Sequence, residues 1–441
     1  MRGEGEAVCG SGSVPRGKNG LRSRPARYTM NILEVSSREA SFQEAAVSRP
    51  PEVSGAVAGR RYASELPRRP AWVEIDLRQL ERNFRIISRD KPGDLRILSV
   101  VKDEAYGHGA ECVAKTALQC GAQLLGLSTL EEALALREKG ITARILLLGD
   151  RQESEFPWCI ARNLTCCVSD AQGVEQLGRC AARAGRRVPV HVKINTGMNR
   201  YGVRWSEALP LVEQVCETKS LVLEGVLSHF AQSDEVDKAS ALLQLARFNE
   251  VLHGLAARGV PVKARHICNS GGFLDLPRAH FDVVRLGILP LGVYPSAVCR
   301  RLPGLAPVMT VKARVAAIQC LQAGDSVGYG MHYTAPGPRR IAVLPLGYGD
   351  GFPRVRNQGW ALLHGRRAPL VGGVAMDALT VDISAIPEAR LWDEAVLMGR
   401  QGSEEISARD IAKLKNSVCY DVLTSWRARL PRVYLNEKSA G

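Results

Sequence analysis

The sequence lacks several features that would place a protein outside the soluble cytoplasmic classes. No uncharged apolar run reaches the roughly 18 residues that a transmembrane helix needs, and the N-terminus has no apolar core of a secretory signal. The 12 cysteines show no spacing typical of a zinc site. We therefore expect a cytoplasmic protein with free thiols, no metal and no membrane association.

Concentrated positive charge is also absent. The 59 Lys and Arg residues against 45 Asp and Glu residues give a net charge of +14, but the excess is spread along the chain without a lysine-rich block. Such an excess attracts anions of many kinds. Because no basic cluster or nucleic-acid-binding motif appears, we expect no nucleic-acid partner.

The first 70 residues differ from the rest of the chain. They are rich in Gly, Ser, Arg and Pro and have no sustained hydrophobic period. This composition predicts a disordered extension over residues 1–70. We expect residues before about Pro70 to be dispensable.

Residues 71–304 alternate apolar, β-rich segments with amphipathic stretches such as Thr129–Lys139. Near-continuous apolar strands are typical of strands covered on both faces. Eight strand–helix units predict an α/β fold of the (β/α)₈ TIM-barrel type. A doubly wound sheet is the alternative, but no G-x-G-x-x-G turn follows the first strand. The eight segments are Ile97–Lys102, Leu124–Ser128, Ile145–Leu148, Thr165–Ser169, Val190–Asn195, Leu223–Ser228, Ala264–Cys268 and Val283–Leu289.

The pattern changes again over residues 305–441. Val308–Ile318 alternates apolar and polar residues, and more short strand-like segments follow between Gly-rich turns. One helix is predicted over Ile406–Lys413. The chain therefore ends in a mainly β domain. The short strand Ala71–Leu77, which precedes the eight segments, either opens the barrel region or joins this C-terminal domain.

In barrels, catalytic groups lie where strands end. Lys102 ends the first segment, a position that suits an amine forming an imine with an aldehyde. A paired or solvent-reaching lysine is the structural alternative. His229 follows the sixth segment, where it is either a ligand-binding or a purely structural histidine.

The loops after the seventh and eighth segments supply a candidate phosphate site. Ser270, Gly287 and Ile288 offer a hydroxyl and closely approachable backbone N–H groups. A phosphate site opposite a buried lysine favours pyridoxal 5′-phosphate, a phosphorylated aldehyde. Phosphosugar aldolases combine the same two features, but the appended β domain has no role in them.

These residues lie within motifs that resemble those of the bacterial alanine racemases, fold-type III pyridoxal-phosphate enzymes. The resemblance runs from about Ala71 to Pro431 and implies the same fold and cofactor. The motifs, in order, are Val100-Val-Lys102-x-x-Ala-Tyr106-Gly-His-Gly, Lys193-Ile-Asn-Thr-Gly-Met-Asn-Arg200, Ser228-His229-Phe, Asn269-Ser270, Arg285-x-Gly287-Ile288, Val327-Gly-Tyr329-Gly, Leu344-Pro-Leu-Gly-Tyr348-Gly-Asp-Gly, Met376-Asp377 and Arg429-Leu-Pro431-Arg.

The resemblance implies a role for two bases. Lys102 would hold the cofactor covalently and serve one face of the substrate Cα. Tyr329 would serve the other face and would come from the partner subunit, so the enzyme would be a homodimer with shared active sites. Racemisation needs a proton removed on one side and returned on the other.

The resemblance also implies binding roles for the remaining motif residues. Arg285 would face the pyridine nitrogen with His266 behind it, and His229 would contact the ring. Arg200 and the Met376 backbone N–H would bind the substrate carboxylate or the cofactor O3′, with a carboxylated Lys193 holding Arg200. The residues expected to bind the phosphate or to support the site are Tyr106, Asn269, Ser270, Gly287, Ile288, Tyr348 and Asp377.

The implied activity is the interconversion of L- and D-alanine, which supplies D-alanine for peptidoglycan. Departures near the site, such as Ala375 where the family often has Cys, leave serine open as an alternative substrate. Fold-type III decarboxylases pair the pyridine nitrogen with a carboxylate, which Arg285 disfavours. Non-catalytic pyridoxal-phosphate-binding proteins resemble the barrel alone, so the domain that carries Tyr329 argues against them.

Overall fold

The computed structural model describes residues 67–436. Most of the predicted N-terminal extension therefore lies outside the described residues. The helices are α1 Leu77–Asp90, α2 Lys102–Gly107, α3 Ala110–Gln119, α4 Leu130–Glu138, α5 Phe156–Ala161, α6 Ala171–Arg183, α7 Ala208–Glu217, α8 Ala239–Ala257, α9 Ser270–Asp275, α10 Ala408–Lys415 and α11 Cys419–Ser425.

The strands divide between two parts of the chain. Those up to residue 286 are β1 Ala71–Asp76, β2 Arg96–Val100, β3 Leu124–Leu127, β4 Arg144–Leu147, β5 Thr165–Val168, β6 Val188–Asn195, β7 Val203–Arg204, β8 Leu221–Leu227, β9 Ala264–His266 and β10 Val283–Leu286. The later strands are β11 Met309–Arg314, β12 Ala317–Leu321, β13 Ser326–Val327, β14 Tyr333–Thr334, β15 Arg339–Leu344, β16 Trp360–Leu363, β17 Arg366–Pro369, β18 Leu379–Asp382, β19 Glu394–Gln401, β20 Glu404–Ile406 and β21 Arg432–Leu435.

Eight parallel strands form the barrel, in the order β10-β2-β3-β4-β5-β6-β8-β9. Two backbone hydrogen bonds join the ends of this order: Asp282 donates to Arg265 O (3.1 Å) and Arg285 donates to Cys268 O (3.0 Å). The barrel prediction is thus confirmed, with each predicted segment containing one of these strands or overlapping it. Several predicted segments extend one to three residues past the strand, into the loop where the site lies.

Local sequence explains where the helices begin. Asp76 precedes α1, and its carboxylate accepts the Gln79 backbone N–H at 3.0 Å. Thr129 and Glu132 form a reciprocal capping box at the start of α4. Each cap satisfies backbone donors that the first helical turn leaves free.

The strand β1 belongs to the C-terminal sheet, although it precedes the barrel in sequence. It lies between β11, with which it pairs antiparallel, and β21, with which it pairs parallel. Buried Lys312 on β11 makes ion pairs with Glu74 (3.0 Å) and Glu394 (2.8 Å), which joins β1 to its sheet. The two ends of the described chain are therefore neighbours in one sheet.

The C-terminal domain differs in detail from the sequence prediction. The alternating stretch Val308–Ile318 is split between β11 and β12, which lie in different sheets. A second helix, α11, follows the predicted one. No helix within residues 67–436 has the length and hydropathy to cross a membrane.

Candidate active site

A cavity of about 1000 Å³ opens at the carboxyl ends of the barrel strands, where α11 of the C-terminal domain also contributes. It brings together most of the residues that the sequence singled out. The predicted residues that line it are Lys102, Tyr106, Lys193, Arg200, His229, Asn269, Ser270, Arg285, Gly287 and Ile288.

Lys102 reaches this cavity from an unusual turn. The four residues that follow it, Asp103 to Tyr106, all have φ between 51° and 55° and ψ between 42° and 57°. This is the left-handed helical region, which costs an L-residue other than glycine about 1–2 kcal/mol. Such a turn persists only when its surroundings hold it in place.

Buried His108 and two glycines hold the turn. The His108 Nδ1 atom lies 3.1 Å from Ala105 O and 2.9 Å from Tyr106 O, two carbonyls of the turn. A Cβ on Gly107 would lie 2.4 Å from Leu423 O, and one on Gly109 would lie 1.8 Å from the Tyr434 hydroxyl. Packing around the lysine therefore requires the two glycines and the histidine of the Tyr-Gly-His-Gly motif.

Hydroxyl groups meet at one side of the cavity. The Tyr106 hydroxyl lies against Gly287, since a Cβ there would be 2.4 Å from its oxygen. The rings of Tyr106 and Tyr420 are 6.1 Å apart, and Ser270 lines the same cavity. Burial raises the pKa of both tyrosines well above the ordinary value, so both hydroxyls stay protonated and can donate to an anion.

Arg285 lies at the base of the cavity, and its guanidinium is surrounded by acceptors. Nη2 donates to Ser228 O (2.7 Å) and to His229 Nδ1 (2.8 Å), while Nη1 donates to His266 Nδ1 (3.0 Å). Burial lowers the pKa of Arg285 to about 10, which leaves the group cationic at neutral pH. His266 does not line the cavity and lies behind Arg285.

A buried chain of side chains continues behind His266. His191 Nδ1 lies 2.8 Å from His266 Nε2, and His191 Nε2 lies 3.4 Å from Glu224 Oε2. Arg144 forms an ion pair with the other Glu224 oxygen. The sequence analysis did not identify His191 and Glu224. The only indication of their role was that each is a polar residue within a mostly apolar strand.

Lys193 and Arg200 lie at another side of the cavity. Lys193 Nζ donates to Leu148 O (2.7 Å) and stands 5.2 Å from the centroid of the Tyr201 ring. Burial lowers the pKa of Lys193, and the positive charges of Arg285 and Arg200 lower it further. Carboxylation of Lys193 would replace this cationic amine by an anion, and it stays a prediction.

Asn269 lines the cavity, but its side chain has local partners. Its Oδ1 accepts the Gly272 N–H (2.9 Å) and the Ser233 hydroxyl (2.7 Å). It caps α9 and thereby holds Ser270 at the start of that helix. We therefore assign it to positioning Ser270.

Tyr348 does not lie with the other predicted phosphate ligands. It lines an adjoining cavity of about 530 Å³ that includes Gly351 and Arg354 and shares Thr424 with the first, and it is absent from the lining around Lys102. Tyr420 on α11 lines the cavity near Tyr106 instead, and the phosphate role of Tyr348 stays a prediction. The helical spacing of buried Cys419, Val422 and Leu423 was the signal for α11.

Three further predicted residues lie outside the cavity, on the C-terminal domain. Tyr329 is 82% exposed and Met376 is 51% exposed. The side chain of Asp377, 63% exposed, forms an ion pair with Arg429. One chain therefore presents these residues to its surroundings and not to its own Lys102.

Comparisons with known proteins agree with this architecture. Residues 75–295 match the family model described as alanine racemase, N-terminal domain, and residues 308–434 match the model of its C-terminal domain. The alanine racemase of Syntrophobacter fumaroxidans is 42% identical over 80% of this chain and 95% of its own, and that of Carboxydothermus hydrogenoformans is 40% identical over 83% of this chain and 100% of its own.

Solved structures give the same result. The alanine racemase from D-cycloserine-producing Streptomyces lavendulae has a TM-score of 0.79 and 35% identity, covering 85% of this chain and 99% of that one. The alanine racemase of Clostridium difficile 630 has a TM-score of 0.80 and 31% identity, covering 84% of this chain and 98% of that one. The resemblance inferred from the motifs is confirmed, and the chain belongs to the alanine racemase family of fold-type III pyridoxal-phosphate enzymes.

Proposed function

We propose that this protein is a pyridoxal-phosphate-dependent racemase that interconverts L- and D-alanine with two bases. The racemase activity follows from the family. The main support for the mechanism is that the Lys102 amine, a group of hydroxyls and buried Arg285 all line one cavity.

The residues around this cavity fit pyridoxal phosphate. Lys102 would hold the aldehyde carbon, and Arg285 would face the ring nitrogen. Tyr106, Tyr420 and Ser270 would donate hydrogen bonds to the phosphate. When bound, the cofactor withdraws electrons from the substrate and acidifies its Cα–H bond.

Arg285 would determine whether the cofactor's ring nitrogen carries a proton. A guanidinium has donors and no acceptor, and this one stays charged at neutral pH. It therefore disfavours a proton on the ring nitrogen, which limits side reactions that need a stronger electron sink. Decarboxylases of the same fold type use a carboxylate there, so this residue favours racemisation.

The second base must approach from the opposite face of the substrate. The exposed Tyr329 on the C-terminal domain is outside its own cavity, which supports a homodimer in which each chain supplies Tyr329 to its partner. Arg200 and the backbone N–H of Met376 would bind the substrate carboxylate. Production of D-alanine for peptidoglycan and a cytoplasmic location complete the proposal.

A mixing experiment tests this arrangement. Lys102→Ala should abolish the cofactor adduct that borohydride traps, while Lys193→Ala should keep it. Tyr329→Phe should lower racemisation by roughly 10²- to 10⁴-fold, the usual contribution of one acid–base group. Mixing the Lys102→Ala and Tyr329→Phe proteins should restore activity, because each heterodimer contains one complete site.

The controls separate the parts of the proposal. Activity of the unmodified protein on L-alanine and L-serine measures the substrate preference. Subunit exchange is verified by differently tagged chains. Verified heterodimers without recovered activity would show that each chain builds its own site, and trapping in Lys102→Ala would refute the lysine assignment.

A further inference from the structure

Asp350, in the turn after β15, is the centre of a second cluster of charged residues. Its side chain is fully buried. Arg69 donates from Nη1 and Nη2 to the two carboxylate oxygens at 2.6 and 2.8 Å, and Arg429 Nε lies 2.9 Å from Oδ1. The Gly347 N–H donates to Oδ2 at 2.9 Å. The buried charge is thus compensated mainly by a residue that precedes the first strand.

This cluster is directly connected to the segment that carries Met376. Arg429 forms an ion pair with Asp377 as well as with Asp350. The Tyr348 N–H donates to Ala375 O (3.0 Å) and the Gly349 N–H donates to Met376 O (2.8 Å). A displacement of the turn at Asp350 would therefore move the backbone of Met376.

The two segments are packed too closely for independent movement. A Cβ on Gly347 would lie 2.2 Å from Ala375 O, and one on Gly349 would lie 2.9 Å from Met376 O. At Gly347 the nearest atoms are all backbone atoms of Ala375 and Met376, so no flexible side chain can absorb a shift there. The position of Met376 therefore depends on the position of the Asp350 turn.

Arg69 also holds backbone carbonyl groups, in addition to compensating the charge of Asp350. Besides its two bonds to Asp350, it donates to Arg429 O (2.9 Å) and to Pro345 O (3.2 Å). One planar guanidinium thus joins the segment before β1, the end of β15 and the segment before β21. A lysine keeps the charge but lacks the fork that makes these bonds together.

We infer that Arg69 is a positioning residue for substrate binding: through Asp350 and Arg429 it sets the Met376 backbone that binds the substrate carboxylate in the partner's active site. The inference rests on the proposed function. Arg69 is at the very end of the segment before Pro70, and a chain that begins near Arg68 keeps it, so the expectation that the preceding residues are dispensable stays a prediction.

Full-length Arg69→Lys and Arg69→Ala proteins test the inference, with Arg68→Ala as the matched control because Arg68 is the exposed neighbour. The carboxylate is bound in both the ground state and the transition state, so its contact affects KM more than kcat. We expect KM for L-alanine to rise roughly tenfold with kcat changed less, because a displaced donor weakens a hydrogen bond to a charged group whose full loss costs roughly 10- to 100-fold. Inhibition by propionate, the analogue without the amine, should weaken equally.

A structural readout accompanies the kinetics. Hydrogen exchange of the amides of Tyr348 and Gly349 should be faster in Arg69→Lys than in the unmodified protein, and unchanged in Arg68→Ala. Urea midpoints show that the compared proteins are folded. If Arg69→Ala does not fold, Arg69→Lys, which keeps the charge, carries the test.

Mixing shows which subunit's site is affected. In a heterodimer of Arg69→Lys with Lys102→Ala, the working site pairs Lys102 of the first chain with Met376 of the second, whose Arg69 is intact. A normal KM is expected there. A high KM in this heterodimer, or a normal KM in the Arg69→Lys homodimer, would overturn the inference. Lack of alanine racemisation by the unmodified protein would instead refute the proposed function.

Discussion

The hydrogen bonds around Arg285 determine where the neighbouring histidines carry their protons. Arginine can only donate, so Nδ1 of His229 and Nδ1 of His266 must accept. Both rings then carry the proton on Nε2, and His266 donates onward to His191 Nδ1. Burial lowers the pKa of His229 and His266 well below the ordinary value, with Arg285 as the next cause. A neutral His229 is therefore a hydrogen-bond partner for Arg285, while the positive charge stays on the arginine.

Tyr420 lines the cavity around Lys102 and Tyr348 does not, so Tyr420 is the expected tyrosine donor to the phosphate. Tyr420→Phe removes a half-buried donor from the proposed phosphate site and should weaken cofactor binding roughly 10- to 100-fold, the value of one hydrogen bond to a charged group. Tyr348→Phe is the matched control and should leave the affinity unchanged. Titration of cofactor-free protein, followed by absorbance, measures both. A weakening caused by Tyr348→Phe alone would restore the original assignment.

Residues at the ends of barrel strands could be predicted because the order of the strands determines where their ends meet. Lys102, Ser270 and Arg285 are of this kind. Tyr420 could not be predicted in the same way, because α11 reaches the cavity only through docking of the C-terminal domain. The partners of Arg69 were equally hidden, since they lie hundreds of residues away in sequence.

The split between β11 and β12 shows that hydrophobic periodicity predicts strands but not the sheet that each strand joins. Alternation over Val308–Ile318 indicates extended chain with one buried face. It carries no information on which sheet each half joins. The chain changes sheets at Val315 and Ala316, where both residues are outside regular strands. Pairing partners, and not local propensity, decide this boundary.

The left-handed turn after Lys102 should carry backbone strain that a glycine would relieve. Asp103 is exposed with φ of 53°, so Asp103→Gly should remove backbone strain and raise the free energy of unfolding by up to about 1 kcal/mol. Glu131→Gly, at an exposed position in right-handed α4, is the control and should lower it by a similar amount. Urea unfolding measures both changes. Equal destabilisation by the two substitutions would argue against strain at Asp103.

At the scale of the whole molecule, buried neutral histidines should control stability in mild acid. Burial is the main cause that lowers the pKa of His108, His191, His229, His266 and His280. The unfolded chain binds protons at these positions near pH 6.5, before the folded protein does. Their contribution to the free energy of unfolding is therefore complete above the pKa of the unfolded chain. It is lost as the pH falls from about 6.5 towards the lowered pKa values of the folded protein.

The pKa of His108 is lowered to about 4. This residue alone should therefore reduce the free energy of unfolding by about 2 kcal/mol between pH 8 and pH 5. Urea unfolding at pH 7, 6 and 5 measures the total for all five histidines. Replacement of the exposed His253 by Gln is the control and should leave the pH dependence intact. A free energy of unfolding that stays constant over this range would contradict the prediction.

The turn beside Lys102 also has a consequence for the order of folding. Four successive L-residues do not adopt left-handed geometry by local preference, so the turn cannot nucleate on its own. The groups that hold it include the Leu423 carbonyl on α11 and the Tyr434 hydroxyl on β21, both near the end of the chain. We therefore expect Lys102 to acquire its final geometry only after the last strand has docked, so that gain of the cofactor would report the completion of folding.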